Sequence, residues 1–269
     1  MRALIFDCDG VLAETERDGH RAAFNRMFAA EGLDFEWTED DYASVLSVAG
    51  GKERLRRLCT DAFVERHGLP TEQAALDELV ALWHRRKTQI FLDLVAEGRM
   101  PSRAGVRRLA SEARAAGWRL AVASTSAVVS VEAIAEQVLG RELLGECVIA
   151  AGDMVENKKP APDIYLHAAR LLGIDAVAVE DSHVGVSAAV AAGMRVVATV
   201  SHYTADEDLT AADIVVDGLG EPDGAAIAVY KNDTKTEIKT HVALEHVASL
   251  LGQSGAMRGA ALPKVDSWK

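Results

Sequence analysis

Asp7 and Asp9 lie one residue apart at the end of a short apolar run, Ala3 to Phe6. Alternate side chains of an extended strand point the same way, so the two carboxylates converge while Cys8 faces elsewhere, and Gly10 permits a sharp exit. Such a pair suits two tasks: Asp7 attacks phosphorus to form an aspartyl phosphate, and Asp9 protonates the leaving oxygen and later activates water. Two acids at a strand end can also do no more than solvate a loop, so the pair needs support from elsewhere.

That support comes from three places. Glu180 and Asp181 follow the apolar run Ala176 to Val179, and Mg2+ takes oxygen ligands, often one or two carboxylates beside a substrate phosphate. Asp181 is the better ligand, with Glu180 beside or behind it, although Asp181 or Ser182 could instead N-cap the next helix. Ser124, Thr125 and Ser126 close another apolar run, where hydroxyls and backbone N–H groups can hold a phosphoryl oxygen or cap a helix. Lys159 precedes Pro160 and Pro162, which restrict its loop. A held ammonium there would neutralise both Asp7 and an incoming phosphate, which otherwise repel each other; Lys158 reads as solvated.

Positioning these groups requires strands. The runs Arg119 to Ser124, Cys147 to Ala150, Ala176 to Val179, Arg195 to Thr199 and Ile214 to Val216 read as buried parallel strands. Between them, stripes such as Val106, Leu109, Ala110 and Ala113, or Tyr165, Ala168, Ala169 and Leu172, follow the helical period. The alternation predicts an α/β fold with a doubly wound, Rossmann-like parallel sheet. Residues 15–100 break it: Phe24, Met27 and Phe28, then Leu55, Leu58, Cys59 and Ala62, form helical stripes that predict an inserted α-helical cap. The return passes through a hinge from Met100 to Gly105. The expected division is residues 1–14 and 101–220 for the catalytic core, 15–100 for the cap, and 221–269 for a helix through Leu244, Val247, Ala248 and Leu251 with a mobile tail.

Composition narrows the partners. A formal charge of −12 disfavours nucleic acid or an anionic membrane, which need a broad basic surface. No apolar run approaches the roughly 18 residues of a membrane span, and no targeting segment is visible at the start. Cys8, Cys59 and Cys147 are odd in number and widely spaced, which suits reduced thiols in a cytosol or plastid stroma better than a disulfide framework. The expectation is a soluble monomer acting on a small anionic substrate.

Asp7 to Val11, then Ser124, then Lys159-Pro160, then Glu180 to Ser182, in that order and with a helical insertion after the first, resembles the haloacid dehalogenase superfamily with a small helical cap. The resemblance spans about residues 1–217. It implies Asp7 as nucleophile and Mg2+ ligand, Asp9 as acid and base with its backbone carbonyl on the metal, Ser124 and Lys159 on the phosphate, and Glu180 and Asp181 completing the metal site. Dehalogenation itself is disfavoured, because those enzymes need no metal and lack a counterpart of Asp9.

The cap speaks to substrate. Gly50 and Gly51 leave N–H groups open at a helix start, and Lys52 in that first turn is electrostatically misplaced unless something negative binds there. A second basic group runs from His84 to Thr88, with Lys87 the best candidate to face the cleft; Glu53 and Arg57 are spaced as a surface ion pair. Two cationic clusters, one in the core and one in the cap, suggest phosphate at both ends of the substrate. Glu14 to His20, Ala23 to Asn25, Gly50 to Arg54, Lys87-Thr88, Ala151 to Asp153 and Lys158 to Pro160 resemble the CbbY-type phosphatases of photosynthetic organisms. These convert xylulose-1,5-bisphosphate, an inhibitor of Rubisco, to xylulose-5-phosphate. The resemblance implies contacts to the sugar and distal phosphate from Glu16, His20, Tyr42, Gly51, Lys52, Arg54 and Lys87, and a plastid stroma or bacterial cytoplasm as compartment. Departures are Ala104, where such hinges usually carry Pro, and Ala127, where a polar residue is common. The rivals are a broader sugar-phosphate phosphatase, a β-phosphoglucomutase and a non-catalytic binding protein on the same fold. Mutases of this type carry a histidine near the cap hinge that restrains proton transfer. The aligned position here is Gly19, and His20, one residue on, is expected to point differently.

Overall fold

The computed structural model describes residues 2–48, 50–172 and 175–252. Strand β1 (Arg2–Phe6) leads to Asp7 and Asp9, after which the chain leaves the sheet. A π-helical turn at Glu16–Arg21 runs into α1 (Ala22–Ala30), followed by α2 (Glu39–Val45), α3 (Gly51–Leu58), α4 (Asp61–His67) and the long α5 (Gln73–Ala96). No strand interrupts this stretch among the described residues. Phe24, Met27, Phe28, Trp37, Tyr42, Leu55 and Trp83 form an apolar cluster of its own. Trp37 meets both Phe24 and Phe28 edge-on, with ring centroids 4.9 and 5.1 Å away, a favoured aromatic geometry.

The chain returns through α6 (Val106–Ala115), β2 (Arg119–Ser124), α7 (Val128–Leu144), β3 (Cys147–Ala151), a 3-10 turn at Gly152–Met154, α8 (Asp163–Leu172), β4 (Asp175–Glu180), α9 (His183–Ala191), β5 (Arg195–Thr199) and β6 (Ile214–Val216). The expected strands are present, with β3 one residue longer and β4 one residue longer at each end. Among the described residues the sheet has seven strands in the order β3-β2-β1-β4-β5-β6-β7, parallel except at its last edge, where β7 spans Val229–Asn232. One face packs Leu4, Phe6, Val122 and Val179 against Leu109, Ile134 and Val138. The other carries Ala3, Ala121, Ala123 and Ala178, small enough for Ile164, Tyr165 and Val186 of α8 and α9 to approach closely.

After Gly220, where sequence signals weaken, β7 (Val229–Asn232) pairs antiparallel with β6, and α10 (Leu244–Leu251) buries Val247 and Leu250 in the main core. This segment therefore builds onto the sheet. The tail expected to be mobile lies outside the described residues from 253 onward. No described helix is long and apolar enough to cross a membrane.

Candidate active site

Strand register creates the site. Phe6 is level with Val122 of β2 and Val179 of β4, so Asp7, Ser124 and Glu180 open on the same sheet edge, at the carboxyl ends where doubly wound sheets bind ligands. Asp7 is 7% exposed and its N–H donates to Val179 O at 2.9 Å, which fixes the strand end. Gly10 turns the chain away at φ +80°, and a Cβ there would overlap the Asp181 carboxylate; this is a place only glycine fits.

Lys159 joins the two sides. Its Nζ donates to Asp7 Oδ1 at 2.6 Å, to Glu180 Oε1 at 2.6 Å and to Ala123 O at 3.1 Å, and Tyr165 also donates to Glu180. Burial disfavours the Lys159 charge, but Asp7 and Glu180 outweigh it and hold the ammonium well above its ordinary range. Burial pushes Asp7 up to about 8, against the pull of Lys159 and with repulsion from Glu180 and Asp9. Burial, with repulsion from Glu180 and Asp7, raises Asp181.

Three crowded carboxylates need more positive charge than one lysine supplies. Oxygens of Asp7, Glu180 and Asp181 lie within 4.8 Å of one another, all buried, and an all-oxygen donor set of this charge fits a hard divalent cation. Asp9 does not contribute its carboxylate to this group. His20 Nε2 is 2.9 Å from Asp9 Oδ1, Ser126 Oγ donates to Oδ2 at 2.6 Å, and Thr15 Oγ1 also donates. Burial would raise Asp9, but attraction to His20 and these hydrogen bonds hold it well below the usual carboxylate range.

The position of His20 corrects the sequence reading. A π-helical turn over Glu16–Arg21 absorbs an extra residue, so His20 faces Asp9 even though Gly19 holds the expected position. The other ring nitrogen, Nδ1, is 2.6 Å from Lys87 Nζ. A charged Lys87 can only donate there, which leaves the imidazole proton on Nε2 for Asp9. The signal was available: His20 stands four residues before Phe24 and seven before Met27, on the buried stripe of α1.

The other expected residues divide into three groups. Ser124, Thr125, Lys159, Glu16, Gly51, Arg54 and Lys87 line the same cavity as Asp7, Asp9, His20 and Asp181. Tyr42 and Glu180 stand behind it: Tyr42 donates to Glu16 Oε2 at 2.6 Å, and Arg54 holds Glu16 at 3.2 Å and Tyr42 OH at 2.8 Å. Burial opposes the Arg54 charge, yet Glu16 keeps it raised. Lys52 does not line this cavity; its Nζ donates to Asp153 Oδ2 at 2.7 Å. Lys158, expected to be solvated, instead contacts Asp153 and Glu53, and Glu53 takes that partner in place of the expected Arg57.

Sequence reasoning missed the loop after β5, where Ser201, Tyr203 and Thr204 line the cavity and Tyr203 meets Tyr42 edge-on at 6.1 Å. The signal was position, a polar run at the end of a predicted strand. Arg103 was noted only as hinge; its guanidinium donates to the carbonyls of Gly10, Val200 and Asp217.

The family pattern described as haloacid dehalogenase-like hydrolase matches residues 1–193. The chain belongs to the haloacid dehalogenase-like hydrolases. This hydrolase is 44% identical over 227 residues to a CBBY-like protein of Arabidopsis thaliana, covering 82% of this chain and 70% of the relative. It is 43% identical over 218 residues to Protein CbbY of Rhodobacter capsulatus, covering 79% and 91%. Crystal structures of CbbY from Rhodobacter sphaeroides, one in complex with phosphate and one of a mutant in complex with xylulose-(1,5)bisphosphate, superpose with a TM-score of 0.70 at 42% identity, over 80% of this chain and 93% of theirs. Within the haloacid dehalogenase-like hydrolases this chain is a phosphatase.

Proposed function

We propose that this hydrolase is a Mg2+-dependent sugar bisphosphate phosphatase that converts xylulose-1,5-bisphosphate to xylulose-5-phosphate through an aspartyl phosphate on Asp7. The observation that carries the reading is the convergence of Asp7, Lys159, Glu180 and Asp181 at one end of the sheet, with Asp7, Lys159 and Asp181 facing the cavity. The sugar is inferred from the ligand of the similar CbbY structure.

In the first step an Asp7 oxygen forms a bond to phosphorus and the ester P–O bond breaks, the leaving oxygen taking a proton from Asp9. In the second, water attacks the aspartyl phosphate, Asp9 accepts its proton, and inorganic phosphate leaves with Asp7 restored. Asp7, Glu180 and Asp181, with the Asp9 carbonyl as an additional expected ligand, would hold Mg2+, which would supply charge neutralisation. Lys159, on Asp7 Oδ1, neutralises charge as well, with Ser124 and Thr125 on the phosphoryl oxygens. The acid role requires a protonated Asp9, whereas His20, Ser126 and Thr15 hold it ionised. Proton delivery is therefore coupled to loosening of those contacts when substrate enters. In the cap, Glu16, Tyr42 and Arg54 form one buried unit, with Gly51, His20 and Lys87 beside it, for the sugar and the second phosphate; Lys52 joins them once it leaves Asp153. A plastid stroma or bacterial cytoplasm, and a monomeric state, belong to the same proposal.

The test is phosphate release from a panel of sugar phosphates and bisphosphates with and without Mg2+. Preference for xylulose-1,5-bisphosphate and dependence on Mg2+ are expected; equal turnover of all esters would reduce the reading to a broad phosphatase. One observation favours a second reading: His20 touches Asp9, as a mutase restraint would. Rapid formation of glucose-6-phosphate from β-glucose-1-phosphate with a trace of the bisphosphate would identify a mutase.

A further inference from the structure

Four charges face each other across the seam between cap and core. Lys52 and Glu53 lie in the first turn of α3, and Asp153 and Lys158 lie in the core segment after β3. Lys52 Nζ is 2.7 Å from Asp153 Oδ2, Lys158 Nζ is 3.2 Å from Asp153 Oδ1, and Lys158 Nζ is 3.7 Å from Glu53 Oε1. Each side contributes one acid and one base, so the pairing is reciprocal and its net charge is zero. The other Glu53 oxygen is buried without a hydrogen-bond partner, and a Cβ on Gly50 would come within 3.2 Å of Lys158 Nζ. The residue that caps α3 thus lies close to both Glu53 and the core lysine.

We propose that Asp153 and Lys158 are positioning residues that hold the start of α3 over the core, and so set where Gly51 and Arg54 meet the substrate. Gly51 and Arg54 line the cavity, and both belong to α3. Lys52 sits at the helix end where a cation is unfavourable, and Asp153 supplies the counter-charge from across the seam. An isolated exposed pair would have little effect, but here Lys158 is only 16% exposed at its side chain and touches acids of both domains. Substrate recognition through α3 rests on the proposed function; the seam itself does not.

A charge-swap cycle tests it. Glu53→Lys and Lys158→Glu each place like charges across the seam, and each is expected to lower kcat/KM for xylulose-1,5-bisphosphate about tenfold, mainly through KM. The double variant restores the Glu53–Lys158 pair with inverted sign but leaves the new carboxylate beside Asp153, so it is expected to recover part of the loss and return within about fivefold of the parent. Hydrogen exchange over residues 50–58 reads the same cycle without substrate: faster in each single variant, partly recovered in the double. Melting temperature is expected to hold throughout. Single variants with parental kinetics and exchange, or a double no better than the worse single, overturn the proposal. Lys158→Gln covers the case in which a reversal fails to fold; it is expected to speed exchange at α3, and unchanged exchange overturns the proposal. If the parent releases no phosphate from the bisphosphate, the proposed function fails while hydrogen exchange still decides the seam.

Discussion

His20 stands between the Asp9 carboxylate and a buried ammonium: Nε2 lies 2.9 Å from Asp9 Oδ1 and Nδ1 lies 2.6 Å from Lys87 Nζ. The ring also stacks on Phe91 with centroids 4.2 Å apart, so its plane is held as well. The inserted segment therefore reaches Asp9 of the core through His20 as well as through Thr15. Replacing His20 by Ala removes a donor to Asp9 without touching Asp7 or the acidic cluster. Loss of about 10²-fold in kcat is expected, the lower end of a general acid–base contribution, with metal affinity unchanged. Steady-state kinetics beside metal titration check this, and an unchanged kcat would show that the contact is only structural.

Lys87 gives a pH signature. Burial lowers it from 10.5 to about 8. Above that pH it loses its positive charge and, as a neutral amine able to accept as well as donate, no longer fixes the proton of His20 on Nε2, so kcat/KM is expected to fall as pH rises through about 8. Stability moves the other way. Because the folded pKa is below the unfolded one, the unfolded chain binds more protons between about 8 and 10.5, and this group's contribution to stability rises with pH across that window. Lys87→Met should lack both trends. Parallel pH profiles of activity and denaturant midpoint for the two proteins decide it; identical profiles would remove Lys87 from the network.

Metal addition should stabilise the fold. Asp7 and Asp181 have raised pKa values because burial and mutual repulsion oppose their charges, a conflict a divalent cation relieves. At 100 times its Kd, Mg2+ contributes about 2.7 kcal/mol, or a rise in Tm of about 5–10 °C. Chelation should abolish both the shift and turnover. Asp181→Asn should lose most of the shift, while its metal-free form melts no lower than the metal-free parent. Calorimetry that finds no metal-dependent shift would contradict the assigned cluster.

Lys52 tests the second phosphate. Remote binding energy acts on the reacting end by closing and orienting the cap. Lys52→Ala is expected to lower kcat/KM for a sugar bisphosphate by about 30-fold and for p-nitrophenyl phosphate by less than about threefold. Equal losses on both would place Lys52 outside distal recognition.

The parallel strands and the groups at their ends were legible because burial on both faces leaves continuous apolar runs, and each run ends at the cleft. The cap was harder. Its helices showed in the stripes of α1 and α3, but the pairing of Lys158 with Glu53 joins residues distant in sequence, and no periodicity records it. His20 was misread because counting residues from Asp9 assumes a regular helix, whereas the π turn at Glu16–Arg21 shifts the register by one. Edge strand β7 escaped notice because Val229 and Tyr230 are exposed and Lys231 and Asn232 only half-buried, so it carries no buried run. Tyr203 was missed because it lies in an irregular loop whose place in the cavity depends on the cap folding back over it.

Covalent catalysis by Asp7 requires a phosphorylated enzyme during turnover. Rapid acid quench with substrate labelled at the transferred phosphate, followed by peptide mapping, detects it. Transient label is expected on the peptide containing Asp7, sensitive to hydroxylamine, and in Asp7→Asn no label, a rate reduced by at least about 10⁴-fold and retained sugar bisphosphate binding. Full-rate phosphate release with no labelled protein, or an active Asp7→Asn variant, would contradict it.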